Sequence, residues 1–136
     1  MRFAPDKDFS SYTIRSYQAG QVNLILPATE EDTAGRINEL TLTRSFIISP
    51  KHLVQDWTPQ NIAELTEEDL RIVIDWNPEL VLLGTGERIE FPPPAITQSL
   101  YTKGIGVEVM DTAAACRTYN VLMYEQREVV AALMVG

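Results

Sequence analysis

Two kinds of hydrophobic pattern divide the chain. In the first third, apolar and polar residues alternate in short runs; in the second half, continuous apolar runs alternate with stretches of helical spacing. The run Leu80-Val81-Leu82-Leu83 is too short for a helix and is bounded by Pro78 and Gly84. A strand covered by helices on both faces of a parallel sheet has this composition. Gly84, Thr85, Gly86 and Glu87 then follow at the carboxyl end of that strand, where open α/β sheets build their crevices.

Taken in order, residues 1–10 are polar and predict a loosely held lead-in. Residues 12–17 and 22–26 have strand composition, and the Gly20-containing link between them predicts a β-hairpin. Residues 29–35 are acidic and polar, hence a loop. Residues 40–43 alternate as a strand with one wet face, residues 45–49 read as its continuation, and Pro50 stops it. The first third is thus expected to be one layer of hairpins. Pro59 is expected to open a short helical turn. Thr66, followed by Glu67, Glu68 and Asp69, is a clearer helix start: an N-cap hydroxyl and acidic residues at the positive end of the dipole. Leu70, Val73 and Ile74 give that helix its apolar face, and Asn77-Pro78 ends it.

Beyond Glu87, three prolines (Pro92, Pro93, Pro94) stiffen the path toward extended geometry. A helix is predicted over 95–102 with Ile96 and Leu100 inward, closed by Gly104. A strand over 105–110, a helix capped by Asp111 and running to about Glu125, and a closing strand over 128–135 complete the order. Strand, helix, strand, helix, strand with short links predicts a parallel sheet with right-handed crossovers. The predicted fold is α/β: one three-layer domain over 1–136, an N-terminal β-hairpin layer followed by a parallel β-α-β-α-β unit.

The length of 136 residues and 45% hydrophobic content suit one core. A net charge of −8 with scattered Lys and Arg argues against nucleic acid as a partner. No apolar run approaches the ~20 residues of a bilayer span. The N-terminus lacks the pattern of a secretion or transit signal. One cysteine, Cys116, forms no internal disulfide. The expected setting is cytoplasmic.

Three features could carry chemistry. The backbone amides of Gly84-Thr85-Gly86 could approach an anion, although Ile89 stands where the dinucleotide fingerprint has its third glycine and no phosphate-loop lysine follows. The competing reading is a tight strand exit that suits glycine. Cys116 falls beyond the first turn of its helix, away from His52, and reads as a buried structural cysteine. His52 with one cysteine makes no zinc site, and no metal or cofactor is expected. Arg117 and Asn120 share a helix face three residues apart, with Glu125 and Arg127 at its end. They read either as ties within the turn or as a polar patch for a partner or anion.

The segments Leu82-Leu83-Gly84-Thr85-Gly86, Gly106-Val107-Glu108-Val109-Met110-Asp111-Thr112, Ala115-Cys116-Arg117-Thr118-Tyr119-Asn120 and Glu125-Gln126-Arg127-Glu128 resemble a family of small domains of unknown function. Its members occur in bacteria and archaea. They include a mitochondrial respiratory complex I assembly factor and the adipogenesis-associated domain protein. The resemblance spans nearly the whole chain, Ser49-Pro50 and Trp57 included, and the lack of a mitochondrial presequence pattern makes a bacterial member the expectation. It implies a three-layer α/β fold, no established catalytic residues or cofactor, and protein–protein work in complex assembly. Two functions are therefore expected to compete. One is a non-enzymatic interaction or assembly factor, binding through the rim of Gly84, Thr85, Gly86 and Glu87, the proline segment, and Arg117 with Asn120. The other is a small anionic-ligand-binding protein or enzyme using the same loop, with Arg117 or Arg127 as counter-charge. A homodimer is open to the hairpin edge.

Overall fold

The computed structural model describes residues 10–28 and 38–136. The predicted lead-in up to residue 9 and the acidic loop at 29–35 lie outside those residues. Among the described residues, eight strands form two sheets. β1 (Thr13–Gln18), β2 (Gln21–Ile25) and β3 (Glu39–Leu42) make an antiparallel three-stranded sheet. The second sheet has the order β5-β4-β8-β6-β7, built from β4 (Phe46–Ile48), β5 (Leu53–Val54), β6 (Leu80–Thr85), β7 (Gly106–Met110) and β8 (Val129–Met134). Three helices, α1 (Arg71–Trp76), α2 (Pro94–Thr102) and α3 (Thr112–Tyr124), complete the fold.

The α/β architecture follows the hydrophobic pattern. β6 runs parallel to both β7 and β8 and lies between them. Side chains of a strand alternate between faces, so the sheet carries two cores. Leu82, Ala131, Leu133, Phe46 and Ile48 face Ala115, Tyr119 and Met123 of α3 and the three-stranded sheet. Val81, Leu83, Val130, Ala132, Met134 and Ile47 face Leu70, Val73 and Leu100. The five-stranded sheet is mixed, because β4 pairs antiparallel to β8.

β4 corrects the expectation of one hairpin layer. Residues 45–49 do not continue β3; the chain leaves the three-stranded sheet near Thr43, and β4 joins the central sheet. Phe46, Ile47 and Ile48 are all fully buried. A strand covered on both faces gives an unbroken apolar run, the same signature that identified β6. The hairpin partner β5 is two residues long and leaves too little pattern to see. The helical turn expected at Pro59 forms instead at Ile62–Glu64, where the Asn61 side chain accepts from the Glu64 amide.

Local signals elsewhere hold. Thr66 and Asp69 form a reciprocal capping box, although the first turn, Glu67–Leu70, is 3-10 before α1 proper begins. Asn77 closes α1 in a left-handed conformation, and Gly104 (φ 78°) follows α2. The Asp111 carboxylate accepts from the Ala114 amide at 2.8 Å and caps α3.

Gly84 seats α3 on the sheet. A Cβ there would come within 2.7 Å of a Leu133 methyl, 3.0 Å of Thr112 Oγ1 and 3.2 Å of Ala115 Cβ. Gly84→Ala is therefore expected to overpack this contact and destabilise the fold by about 1–3 kcal/mol. Urea unfolding of the two proteins measures it; an unchanged midpoint would mean that α3 shifts freely.

Candidate functional site

The glycine loop is held from inside the protein. Thr112, the first residue of α3, is fully buried. Its hydroxyl accepts from the Gly86 amide at 2.8 Å and donates to the Met134 carbonyl at 2.6 Å. Its own amide donates back to the Gly86 carbonyl at 2.9 Å. Gly86 has φ 98°, and a Cβ there would lie 2.9 Å from the Gly136 carbonyl, so this position suits glycine on two counts. The Thr85 hydroxyl donates to the Arg88 carbonyl at 2.6 Å and accepts from the Glu90 amide at 3.0 Å. The loop is thus a braced strand exit, and the Gly86 donor on which anion capture would rely is already bonded.

Beyond this brace the chain turns outward. Ile89 is 49% exposed and Phe91 is 72% exposed. Pro92 and Pro93 follow, and Pro94 opens α2. Large apolar side chains thus project from a segment fixed at one end by Thr85 and stiffened at the other by proline.

Glu87, Arg117 and Asn120 lie along one groove between β1 and α3. One part, about 190 Å³, is lined by Arg15, Tyr17, Cys116, Arg117 and Asn120. Another, about 280 Å³, is lined by Tyr17, Gly86, Glu87 and Asp111. Tyr17 belongs to both. Burial pushes its hydroxyl above the usual tyrosine range, and the negative charge of Glu87 adds to the effect. As a strand residue in a hairpin, Tyr17 gave no sequence signal of this placement.

Asn120 is occupied structurally. Its Oδ1 accepts from the Ile14 amide at 3.0 Å, and its Nδ2 donates to the Ile14 carbonyl at 2.6 Å. The side-chain amide thereby completes the backbone pairing of β1 beside its bulge at Arg15. On the adjoining residue of the helix, the Tyr119 hydroxyl donates to the Tyr12 carbonyl at 2.8 Å. Arg117 remains exposed, and so do Val121 (55%) and Tyr124 (39%), which follow it at helical spacing on the outer side of α3.

Arg127 stands apart from the other residues of the expected rim. Its Nε donates to Glu79 Oε1 at 3.1 Å, and Glu79 Oε2 accepts from the Glu128 amide at 3.0 Å. Those two bonds, the backbone one first, hold the Glu79 carboxyl below its usual range. Arg127 therefore ties the turn to Glu79, not to Glu125 as the local reading had it. Glu79 immediately precedes β6 and Gly86 immediately follows it, about 20 Å apart along the strand. Arg127 supplies no counter-charge at the glycine loop.

A larger cleft of about 620 Å³ opens at that far end, where Lys51, His52, Asp75, Trp76 and Arg127 surround Val129. His52 is not remote from the helices, as its place in the hairpin layer suggested. It stacks on Trp76 with ring centroids 5.0 Å apart. Two residues 24 positions apart with no shared motif leave nothing to read before folding. Among the described residues, no group of His, Cys, Asp and Glu is arranged to hold a metal ion. No helix among them is long and apolar enough to cross a membrane.

The family model described as "Protein of unknown function (DUF498/DUF598)" matches residues 31–134. A Xenopus tropicalis protein named NADH dehydrogenase (ubiquinone) 1 alpha subcomplex assembly factor 3 is 30% identical over 98% of this chain and 74% of its own length. The chain spans 47% of the bovine protein of that name. A Francisella tularensis protein named "13 kDa major membrane protein" is 36% identical over 51% of this chain and 56% of its own length. Among solved structures, a Bordetella parapertussis protein superposes with a TM-score of 0.77 at 32% identity, covering 93% of this chain and 98% of that one.

Asn120→Ala leaves both backbone groups of Ile14 without their partner and is expected to destabilise the fold by about 1–3 kcal/mol, read by denaturant unfolding. Cys116 is 4% exposed, and burial raises its thiol from 9.0 to about 12 against a smaller opposing pull from Arg117. The folded thiol therefore stays protonated where an unfolded one ionises. Its contribution to stability is complete below pH 9 and is lost as pH climbs toward 12. At pH 8 a disulfide reagent is expected to label Cys116 only at the rate of unfolding. Fast labelling of the native protein would refute that.

Proposed function

The chain belongs to the DUF498/DUF598 family of proteins of unknown function, and from that premise we propose that it is a non-enzymatic protein-interaction module that assists the assembly of a larger complex. Named relatives in the family are assembly factors for NADH dehydrogenase, which supports protein partners at the family level. The observation that carries the reading is the braced loop exposing Ile89 and Phe91. An aromatic side chain held out on a stiff segment loses little entropy on docking, and such residues dominate binding energy in interfaces. Gly84, Thr85, Gly86 and Glu87 are proposed to shape the base of that surface, with Arg117 and the exposed Val121 and Tyr124 offering a second patch on α3. The alternative, capture of a small anion, draws less support, since the Gly86 donor is bonded to Thr112 and Arg127 to Glu79. A cytoplasmic setting is part of the same proposal, as is the absence of a resident cofactor.

Replacing Ile89 and Phe91 together by aspartate is expected to change folding stability by no more than about 0.5 kcal/mol, since both side chains are exposed. The same change is expected to weaken binding to a co-purified partner by about 2 kcal/mol or more, roughly thirtyfold in Kd. Calorimetry with the recovered partner reads the second quantity. Undiminished binding by the double variant, or intact complex assembly in cells lacking the protein, would count against the proposal.

A further inference from the structure

Among the described residues, β7 is the last strand of the five-stranded sheet and pairs only with β6. The Gly106 amide donates to the Glu79 carbonyl at 3.0 Å, so Gly106 turns its backbone groups toward β6. Along a parallel strand, successive residues direct their N–H and C=O alternately to one neighbour and the other. Glu108 and Met110 therefore also face β6, and Val107 and Val109 face outward. Ile105, in the same outward phase, already donates to the Leu100 carbonyl at 3.0 Å. Among the described residues, no hydrogen bond reaches the outward groups of Val107 and Val109. Two donors and two acceptors stand in a row on an open edge, a template for another strand.

The side chains decide what kind of strand fits. Val107 and Val109 pack, partly buried, on the α2 side of the sheet. Glu108 is exposed on the opposite face and has no ion-pair partner among the described residues. A second copy pairing antiparallel in the fullest register would match Val107 with Val109 in both directions. It would set Glu108 against its own copy at the close, non-hydrogen-bonded position, about 4.5 Å between Cα atoms. Like charges directly opposite are destabilising, so this edge rejects itself at neutral pH. A foreign strand with Lys or Arg at that position turns the same contact into an attraction, and the chain's net charge of −8 favours encounter with a basic segment.

We infer that the β7 edge binds, by strand addition, an extended segment of another protein that reads apolar–basic–apolar, the basic residue opposite Glu108. The flanking residues of that segment lie beside Val107 and Val109 and extend the apolar face toward α2. The Thr85 hydroxyl lies 3.4 Å from the Met110 carbonyl, so a strand running along β7 would meet the base of the Ile89 and Phe91 loop. The inference rests on the protein-binding reading and specifies the form of the partner; its residues differ from those of the loop, so the two fail separately.

The test uses nine-residue synthetic peptides of alternating threonine and valine, with valines flanking a central lysine or a central glutamate. Amide exchange of the full chain is followed by NMR. In the free protein Val107 and Val109 amides are expected to exchange fast and Glu108 slowly. Millimolar lysine peptide is expected to slow Val107 and Val109 at least tenfold, the glutamate peptide to bind at least tenfold more weakly, and Glu108→Lys to reverse that order. Val109→Pro removes one outward donor without touching the β6 ladder and is expected to abolish binding, while slow exchange of the Glu108 amide shows that β7 remains paired to β6. The inference is overturned by no protection at Val107 and Val109, by equal binding of both peptides, or by a concentration-dependent dimer that protects these amides. Loss of partner binding in the Ile89 and Phe91 variant with a silent edge would sink this inference alone.

Discussion

One buried hydroxyl holds the fold in register. Thr112 joins the exit of β6, through the Gly86 amide, to the end of β8, through the Met134 carbonyl. Both bonds lie in a region closed to water, where an unsatisfied polar group is expensive, so the hydroxyl has one acceptable position. Gly84 makes room for it by lacking a Cβ. With its first residue fixed, α3 lies across β6 and β8 and presents Ala115, Tyr119 and Met123 to the sheet. The three-stranded sheet then hangs on α3 through Tyr119 and Asn120 and on the end of β8 through the Gly20 amide, which donates to the Val135 carbonyl.

That arrangement bears on function because it consumes the groups that might have done chemistry. The glycine amide, the asparagine and the cysteine are spent on internal bonds or burial. What remains outward is a braced apolar loop, an exposed stripe on α3 and an unpaired strand edge. These are the features on which the proposed protein-binding role rests, and named relatives in the family are assembly factors. The 620 Å³ cleft at the other end of the sheet is lined by the stacked His52 and Trp76, a packing contact that also bridges the turn between β4 and β5 to α1.

Legibility tracked the range of the forces involved. Thr66 with Asp69, Asn77, Gly104 and Asp111 act within a few residues, and each could be read as a start or stop. The unbroken run at 80–83 identified a doubly covered strand, because burial on both faces erases alternation. The same logic applied to Phe46-Ile47-Ile48, but proximity to the alternating residues 40–43 concealed that β4 leaves for the other sheet. For Arg127 the nearer carboxylate in sequence, Glu125, is not the nearer one in space; Glu79, 48 positions away, reaches it.

By itself the sequence determined the class of fold, the parallel β6-β7-β8 unit, the caps of its helices and the glycine-bearing strand exit, all properties of local periodicity and backbone preference. Only the tertiary structure decided that Asn120 completes the pairing of β1, that His52 lies on Trp76, that Arg127 stands at the opposite end of β6 from Gly86, and that β7 is left open. Those outcomes depend on which distant segments meet. Burial and long-range hydrogen bonding settle that once the whole core has closed, and no short window of residues encodes it.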